Sequence, residues 1–160
     1  MEIFVRNATI RDVEIIAALV HQLLVELTPE DKSPPAFEKI YATAKTLLED
    51  IHSIWCFLAM SEDGEAIGVL TLNECAAIYA GGRFGEISEL YVKPNYRSKG
   101  VAPKLLVAAK EFGRLKAWKS MEVGAPSLPK WERTVAFYRE NGFYEIGPRL
   151  VISCEDSSTD

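Results

Sequence analysis

Glu89-Leu90-Tyr91-Val92-Lys93-Pro94-Asn95-Tyr96-Arg97-Ser98-Lys99-Gly100-Val101-Ala102 is the stretch on which the organisation of this chain turns. Gly85 to Val92 is a β-prone run, and Lys93-Pro94-Asn95 stops it. From Val101 to Trp118, the positions of Leu105, Leu106, Ala109, Phe112 and Leu115 keep a helical spacing. Pro103 falls in the first helical turn, where a missing N–H costs little. The segment therefore reads as strand, basic glycine-containing loop, helix. A helix start leaves several N–H groups unpaired, and with the positive end of the helix dipole they form a place for an anion such as a pyrophosphate. Gly100 and Ala102 let the backbone come close to that anion, and Arg97 and Lys99 add charge. An ordinary turn with solvated basic side chains is the competing reading of the loop alone. Neither G-x-x-x-x-G-K-[ST] nor G-x-G-x-x-G is present, which disfavours a nucleoside triphosphatase or a dinucleotide dehydrogenase.

Upstream, Ile3 to Arg6 is a short strand. Thr9-Ile10-Arg11-Asp12 is a helix start, with Thr9 as N-cap and an acid three residues on. Val13, Ile16, Ala17, Val20, Leu23, Leu24 and Leu27 form one apolar helix face, ended by Thr28-Pro29. A second helix is expected over Pro35 to Asp50. Ile54 to Met60 and Ala66 to Leu72, joined by Ser61-Glu62-Asp63-Gly64-Glu65, read as a hairpin. Ala76 to Arg83 reads as a loop. Downstream come a strand at Ser120 to Val123, a loop at Gly124 to Pro129 and a helix at Trp131 to Glu140, closed by Asn141-Gly142. Phe143 to Ile146 and Leu150 to Ser153 read as two last strands, and Glu155 to Asp160 as a frayed acidic end. The order gives an α/β sandwich in one domain, without repeats.

With 160 residues, one domain with its own core is expected. The 48% hydrophobic content excludes a disordered or fibrous chain. A net charge of −5 argues against bulk nucleic acid, which needs clustered Lys and Arg. Cys56, Cys75 and Cys154 are far apart and lack a C-x-x-C pair or a nearby His. They suggest neither a disulfide framework nor a metal site, and read as reduced thiols in the cytoplasm. No signal peptide and no membrane span is expected.

Two segments carry a family resemblance. Glu89 to Ala102 resembles motif A of the GNAT-type N-acetyltransferases, with the pattern Arg/Gln-x-x-Gly-x-Gly/Ala. Ala136-Phe137-Tyr138-Arg139-Glu140-Asn141-Gly142-Phe143 resembles that family's motif B. The resemblance implies an α+β fold over residues 1–154, with a mixed, mostly antiparallel sheet of about six to seven strands flanked by about four helices, and a tail at 155–160. It implies acetyl-CoA as cosubstrate, no metal, an amine acceptor and a possible homodimer. Backbone N–H groups of Ser98, Lys99, Gly100, Val101 and Ala102, beside Arg97, would hold the pyrophosphate. Leu90, Tyr91 and Val92 would lie along the pantetheine, with Leu90 and Val92 pairing to it like an added strand. Tyr138 matches the family's general acid.

Acetyl transfer also needs the amine to be neutral. Glu86 and Glu89 are candidate bases; being three apart, they point to opposite faces of an ideal strand, so at most one should face the acceptor. Glu86 is slightly favoured, since some protein-acetylating relatives place a glutamate there. Trp131 stands where many relatives have Asn, and an indole has no amide carbonyl to offer. That departure leaves a non-catalytic acyl-CoA-binding module as the alternative. Tyr41, Tyr79, Arg83 and Trp131 are possible acceptor-side residues. His21 and His52 match no motif and read as packing or surface residues. The acidic balance mildly favours a cationic acceptor.

Overall fold

The computed structural model describes residues 1–126 and 130–155. Along the chain come β1 (Ile3–Asn7), α1 (Val13–Leu27), α2 (Phe37–Glu49), β2 (Trp55–Ser61), β3 (Ala66–Ala77), β4 (Gly82–Val92), α3 (Val101–Leu115), β5 (Met121–Val123) and α4 (Glu132–Glu140). Single turns of 3-10 helix lie at Ile10–Asp12 and Pro94–Tyr96. Contacts divide the chain into two units, Met1–Val123 and Gly124–Asp160.

The first unit is a five-stranded sheet in the order β1-β2-β3-β4-β5, antiparallel except for the β4–β5 pair. Adjacent residues of β3 show its two covered faces. Val69 packs in a cluster with Ile16 and Leu19 of α1, Leu48 of α2, and Cys56, Leu58 and Tyr91 of the sheet. Gly68 faces α3, where an added Cβ would lie 3.2 Å from Val101 and 3.3 Å from Leu105. A side chain there would hold the helix off the sheet. The α3 side also carries stacked aromatics, with Phe112 5.2 Å from Trp55, 5.7 Å from Phe57 and 5.6 Å from Trp118.

Helix α1 starts as its sequence dictates. Thr9 accepts from the Arg11 N–H at 3.3 Å, and the Asp12 carboxylate accepts the Thr9 N–H at 2.9 Å. Asp12 also takes both terminal nitrogens of Arg6, at 3.0 and 2.7 Å. These Arg6 bonds hold its carboxyl below the ordinary aspartate range.

Two boundaries differ from the sequence expectation. The β3–β4 pairing runs past the expected ends to Ala77↔Gly82, so much of the expected loop at Ala76 to Arg83 is ladder and only 78–81 turn. Helix α3 stops at Leu115, because the Trp118 N–H returns to the Gly113 carbonyl at 2.9 Å and carries the indole into the aromatic cluster.

In the second unit, α4 ends as read. Gly142 has φ 92°, and the Gly142 and Phe143 N–H groups return to Arg139 and Tyr138 carbonyls at 3.1 and 3.0 Å. The expected strands Phe143–Ile146 and Leu150–Ser153 are absent among the described residues, so the sheet has five strands rather than six to seven. Leu150, Val151 and Ile152 are 92%, 98% and 87% exposed. Their apolar, partly β-branched composition supplies propensity, but a strand also needs a partner ladder, and among the described residues none pairs with them. Of the expected loop Gly124 to Pro129, residues 127–129 lie outside the described residues, as do 156–160 of the acidic end.

Candidate active site

Strand β5 pairs with β4 only at Gly85↔Met121, Glu86↔Glu122 and Ile87↔Val123. Beyond Ile87, β4 has a neighbouring strand on its β3 side alone among the described residues. The Lys93 N–H donates to Ile67 O on β3 at 2.9 Å. Alternation along an antiparallel strand then turns the main-chain groups of Val92, and of Leu90 in the same phase, to the open edge. There the Val92 carbonyl accepts from Arg97 Nε at 2.8 Å.

The open edge runs into the loop that starts α3. Ser98 and Gly100 both have left-handed backbones, with φ 59° and 83°, and Gly100 is the N-cap. Its carbonyl takes the Lys104 N–H at 3.3 Å, so the N–H groups of Val101 and Ala102 precede the helical ladder, while Pro103 has none. Nothing lies within 4 Å of where a Gly100 Cβ would be. The loop therefore presents free N–H groups and open space, as a pyrophosphate requires, and the adjoining edge presents the pairing groups that an amide-bearing pantetheine requires. These residues fit acetyl-CoA.

The basic residues play different parts. Arg97 is tied to Val92, pairs with Glu26 at 2.6 Å and stacks 5.4 Å from the Tyr91 ring centroid. Its charge is largely matched, and it braces the strand–loop junction. Lys99 reaches back over the Tyr96 ring at 5.7 Å. Tyr91 is buried and donates its hydroxyl to Gln22 at 3.2 Å, and its main chain lies in the ladder opposite Val69 of β3, so neither is turned to the open edge.

The β3–β4 register slips between Thr71 and Leu72: Thr71 faces Glu89, Leu72 faces Ile87, and Ser88 is the extra residue of a bulge. This corrects the expectation that Glu86 and Glu89 point to opposite faces. They lie across from Asn73 and Thr71, which are two apart, so both belong to the face that α1 and α2 cover. Glu89 is mostly buried; burial raises its carboxyl above the usual range, opposed by a hydrogen bond from the Thr71 hydroxyl. Beside Glu86 in the parallel register lies Glu122, which accepts the Tyr79 hydroxyl at 2.8 Å. That bond, above all, raises the Tyr79 phenol.

Thr71 and Glu122 were not among the sequence candidates. Each becomes visible only through strand register, and no local motif marks either. Arg83 pairs with Glu74 at 3.1 Å; Glu74 stands opposite Gly85, on the α3 side and away from Glu86. Tyr41 and His21 both pack around Phe37, at 6.2 and 6.0 Å. The Cys56 thiol is pushed up to about 12 by burial, which leaves it inert. Among the described residues there is no cluster of three or more His, Cys, Asp or Glu that could hold a metal. No helix there is long and apolar enough to cross a membrane.

Tyr138 and Trp131 belong to the second unit. Tyr138 is buried, with Phe137 and Phe143 at 5.5 and 5.4 Å, and burial pushes its phenol up to about 12. Trp131 is the N-cap of α4, with Lys130 5.3 Å from its ring.

Residues 17–143 match the acetyltransferase (GNAT) family. The chain is 31% identical over 114 residues to the mycothiol acetyltransferase of Paenarthrobacter aurescens (strain TC1), a match covering 68% of this chain and 33% of that protein. It thus spans about a third of the length of that curated relative. Among solved structures, the ribosomal-protein-alanine N-acetyltransferase of Brucella melitensis biovar Abortus 2308 superposes with a TM-score of 0.74 at 20% identity, over 95% of this chain and 99% of that one. The aminoglycoside acetyltransferase meta-AAC0020 from an uncultured soil metagenomic sample, solved with sisomicin, gives 0.74 at 18%, over 96% and 97%. At these identities the structures share the fold. With the family match covering most of the chain, this protein belongs to the GNAT family, whose members use acetyl-CoA as cosubstrate.

Proposed function

We propose that this chain transfers acetyl from acetyl-CoA to a primary amine by direct attack. The observation that carries the proposal is the open edge of β4 running into the left-handed loop at the start of α3. N–H groups from Ser98 to Ala102 hold the pyrophosphate. Arg97 and Lys99 flank it, and Leu90 and Val92 pair with the pantetheine on either side of Tyr91. Acetyl-CoA supplies the activated acyl group. Glu89 takes the amine proton, directly or through water: it is a largely buried carboxylate with a raised affinity for protons, as a base working near neutrality needs. Glu86, with Glu122 beside it, makes the approach to that face acidic and suits an amine that arrives as a cation. Tyr138 keeps its proton throughout the neutral range and delivers it to the departing thiolate.

To the same proposal belong a single acetyltransferase domain over 1–154 with a short tail, a cytoplasmic location, and a homodimer. Sedimentation of the purified chain tests the last. The experiment for the activity is free-thiol release from acetyl-CoA across a panel of small cationic amines and lysine peptides. Saturable acetyl-CoA binding without thiol release on any acceptor overturns catalysis. That outcome favours a non-catalytic acyl-CoA-binding module, the reading that Trp131 in place of Asn supports.

A further inference from the structure

We propose that Thr71 is a positioning residue for Glu89, whose carboxylate it holds on the acceptor face of β4 in the ionised, proton-accepting form. The inference rests on the acetyltransferase reading with Glu89 as base.

The bulge at Ser88 creates the arrangement. Where the register slips, the Glu89 N–H donates to the Thr71 hydroxyl oxygen at 3.0 Å, and the Thr71 hydroxyl donates to Glu89 Oε2. A hydroxyl has one proton and two lone pairs. The backbone bond fixes the oxygen through one lone pair, so the proton is left aimed at the carboxylate. Thr71 is 2% exposed, and water does not compete for that proton. Valine is nearly the same shape and fits strand and core as well, so packing alone does not call for a hydroxyl.

The charged and titratable groups around this pair come from the neighbouring strands, α1 and the turn before it, and the loop before α3. Cys56 stands opposite Thr71 on β2, and Glu86 and Tyr91 share the face of Glu89 on β4. From α1, Gln22 meets the Tyr91 hydroxyl, and Glu26 pairs with Arg97 above the Tyr91 ring. Asp12, held by Arg6, acts on Cys56. Burial raises the Glu89 proton affinity, and the Thr71 hydrogen bond is what lowers it. A donor to a carboxylate favours the charged form, so removing it makes Glu89 hold its proton to higher pH.

The test compares T71V with T71S. The Glu89 side-chain carboxyl is titrated by 13C NMR, with E89Q assigning the resonance, and kcat/KM is followed against pH with a responsive amine. In T71V the Glu89 midpoint is expected to rise by about one pH unit, the size of one hydrogen bond to a charged group. The acidic limb of kcat/KM is expected to move by the same amount, and T71S to return to the wild-type midpoint. An unchanged midpoint in T71V overturns the proposal, as does a moved midpoint with an unmoved acidic limb. A merely structural threonine would lower activity evenly across pH. If T71V fails to fold, T71A lacks the same hydroxyl and carries the comparison. If the wild type releases no thiol with any amine, the functional reading fails, while the carboxyl titration still decides whether Thr71 holds Glu89.

Discussion

Glu89 places activity and stability in opposition at one side chain. Its folded-state proton affinity is raised, so the folded chain binds more protons than the unfolded one across that window. Its contribution to stability is therefore full below the unfolded pKa and is lost as pH rises through the folded value. Glu89→Gln is expected to lower kcat by about 10²- to 10⁴-fold, the usual range for a general base, while raising the melting temperature at pH 7. Steady-state kinetics and calorimetry on the same variant check both signs, and a smaller kcat loss in Glu86→Gln is the expected control. Tyr138→Phe is expected to reduce kcat by at least about tenfold with acetyl-CoA affinity unchanged, as removal of a proton donor does. At this scale the sequence was legible where chemistry is local. Gly100, Ala102 and Arg97 form a contiguous pattern, and Gly100 has the left-handed backbone that only glycine adopts easily. Thr71 and Glu122 were not legible, because what makes them relevant is the residue across the ladder.

Elements carry the same lesson. The strand ending at Val92 and the helix beginning at Val101 could be read from residue order, and so could the cap at Thr9. Asp12 in that cap behaves oppositely to Glu89: its folded pKa is depressed by Arg6, so its contribution is present above the unfolded value of about 3.9 and lost as pH falls through the folded one. Asp12→Asn is expected to flatten the acid limb of a stability–pH curve measured by urea unfolding. The bulge at Ser88 could not be read, since one extra residue leaves the composition of a strand unchanged. Nor was the reach of the β3–β4 hairpin legible, because the ladder continues through residues whose composition suggests a loop. Gly85 shows what tertiary packing adds: a Cβ there would lie 2.4 Å from the Trp118 ring. Gly85→Ala is expected to cost about 1–3 kcal/mol by overpacking, read as a lower denaturant midpoint. The two last strands failed for the converse reason. Leu150, Val151 and Ile152 have strand propensity and, among the described residues, no neighbouring ladder.

For the whole molecule, the net charge of −5 is not spread without consequence, since Glu86, Glu89 and Glu122 share one face of the sheet. If that face receives a cation, KM for the amine is expected to rise several-fold between low and about 1 M salt, where the screening length falls to about 3 Å, with kcat little changed. The fold class was legible from element order, whereas the division into units after Val123 was not, because the Gly- and Pro-containing stretch from Gly124 to Pro129 reads equally as a loop within one domain. The short pairing of β5, which ends at Val123 while β4 runs on to Val92, also bears on handling the protein. A strand edge without a neighbouring strand, as β4 has beyond Ile87 among the described residues, is a template for another chain's strand. The segment that would hold pantetheine is thus also where self-association would begin. Saturating CoA should slow aggregation on storage and protect the Leu90 and Val92 amides from hydrogen exchange, so that ligand supply governs colloidal lifetime as well as turnover.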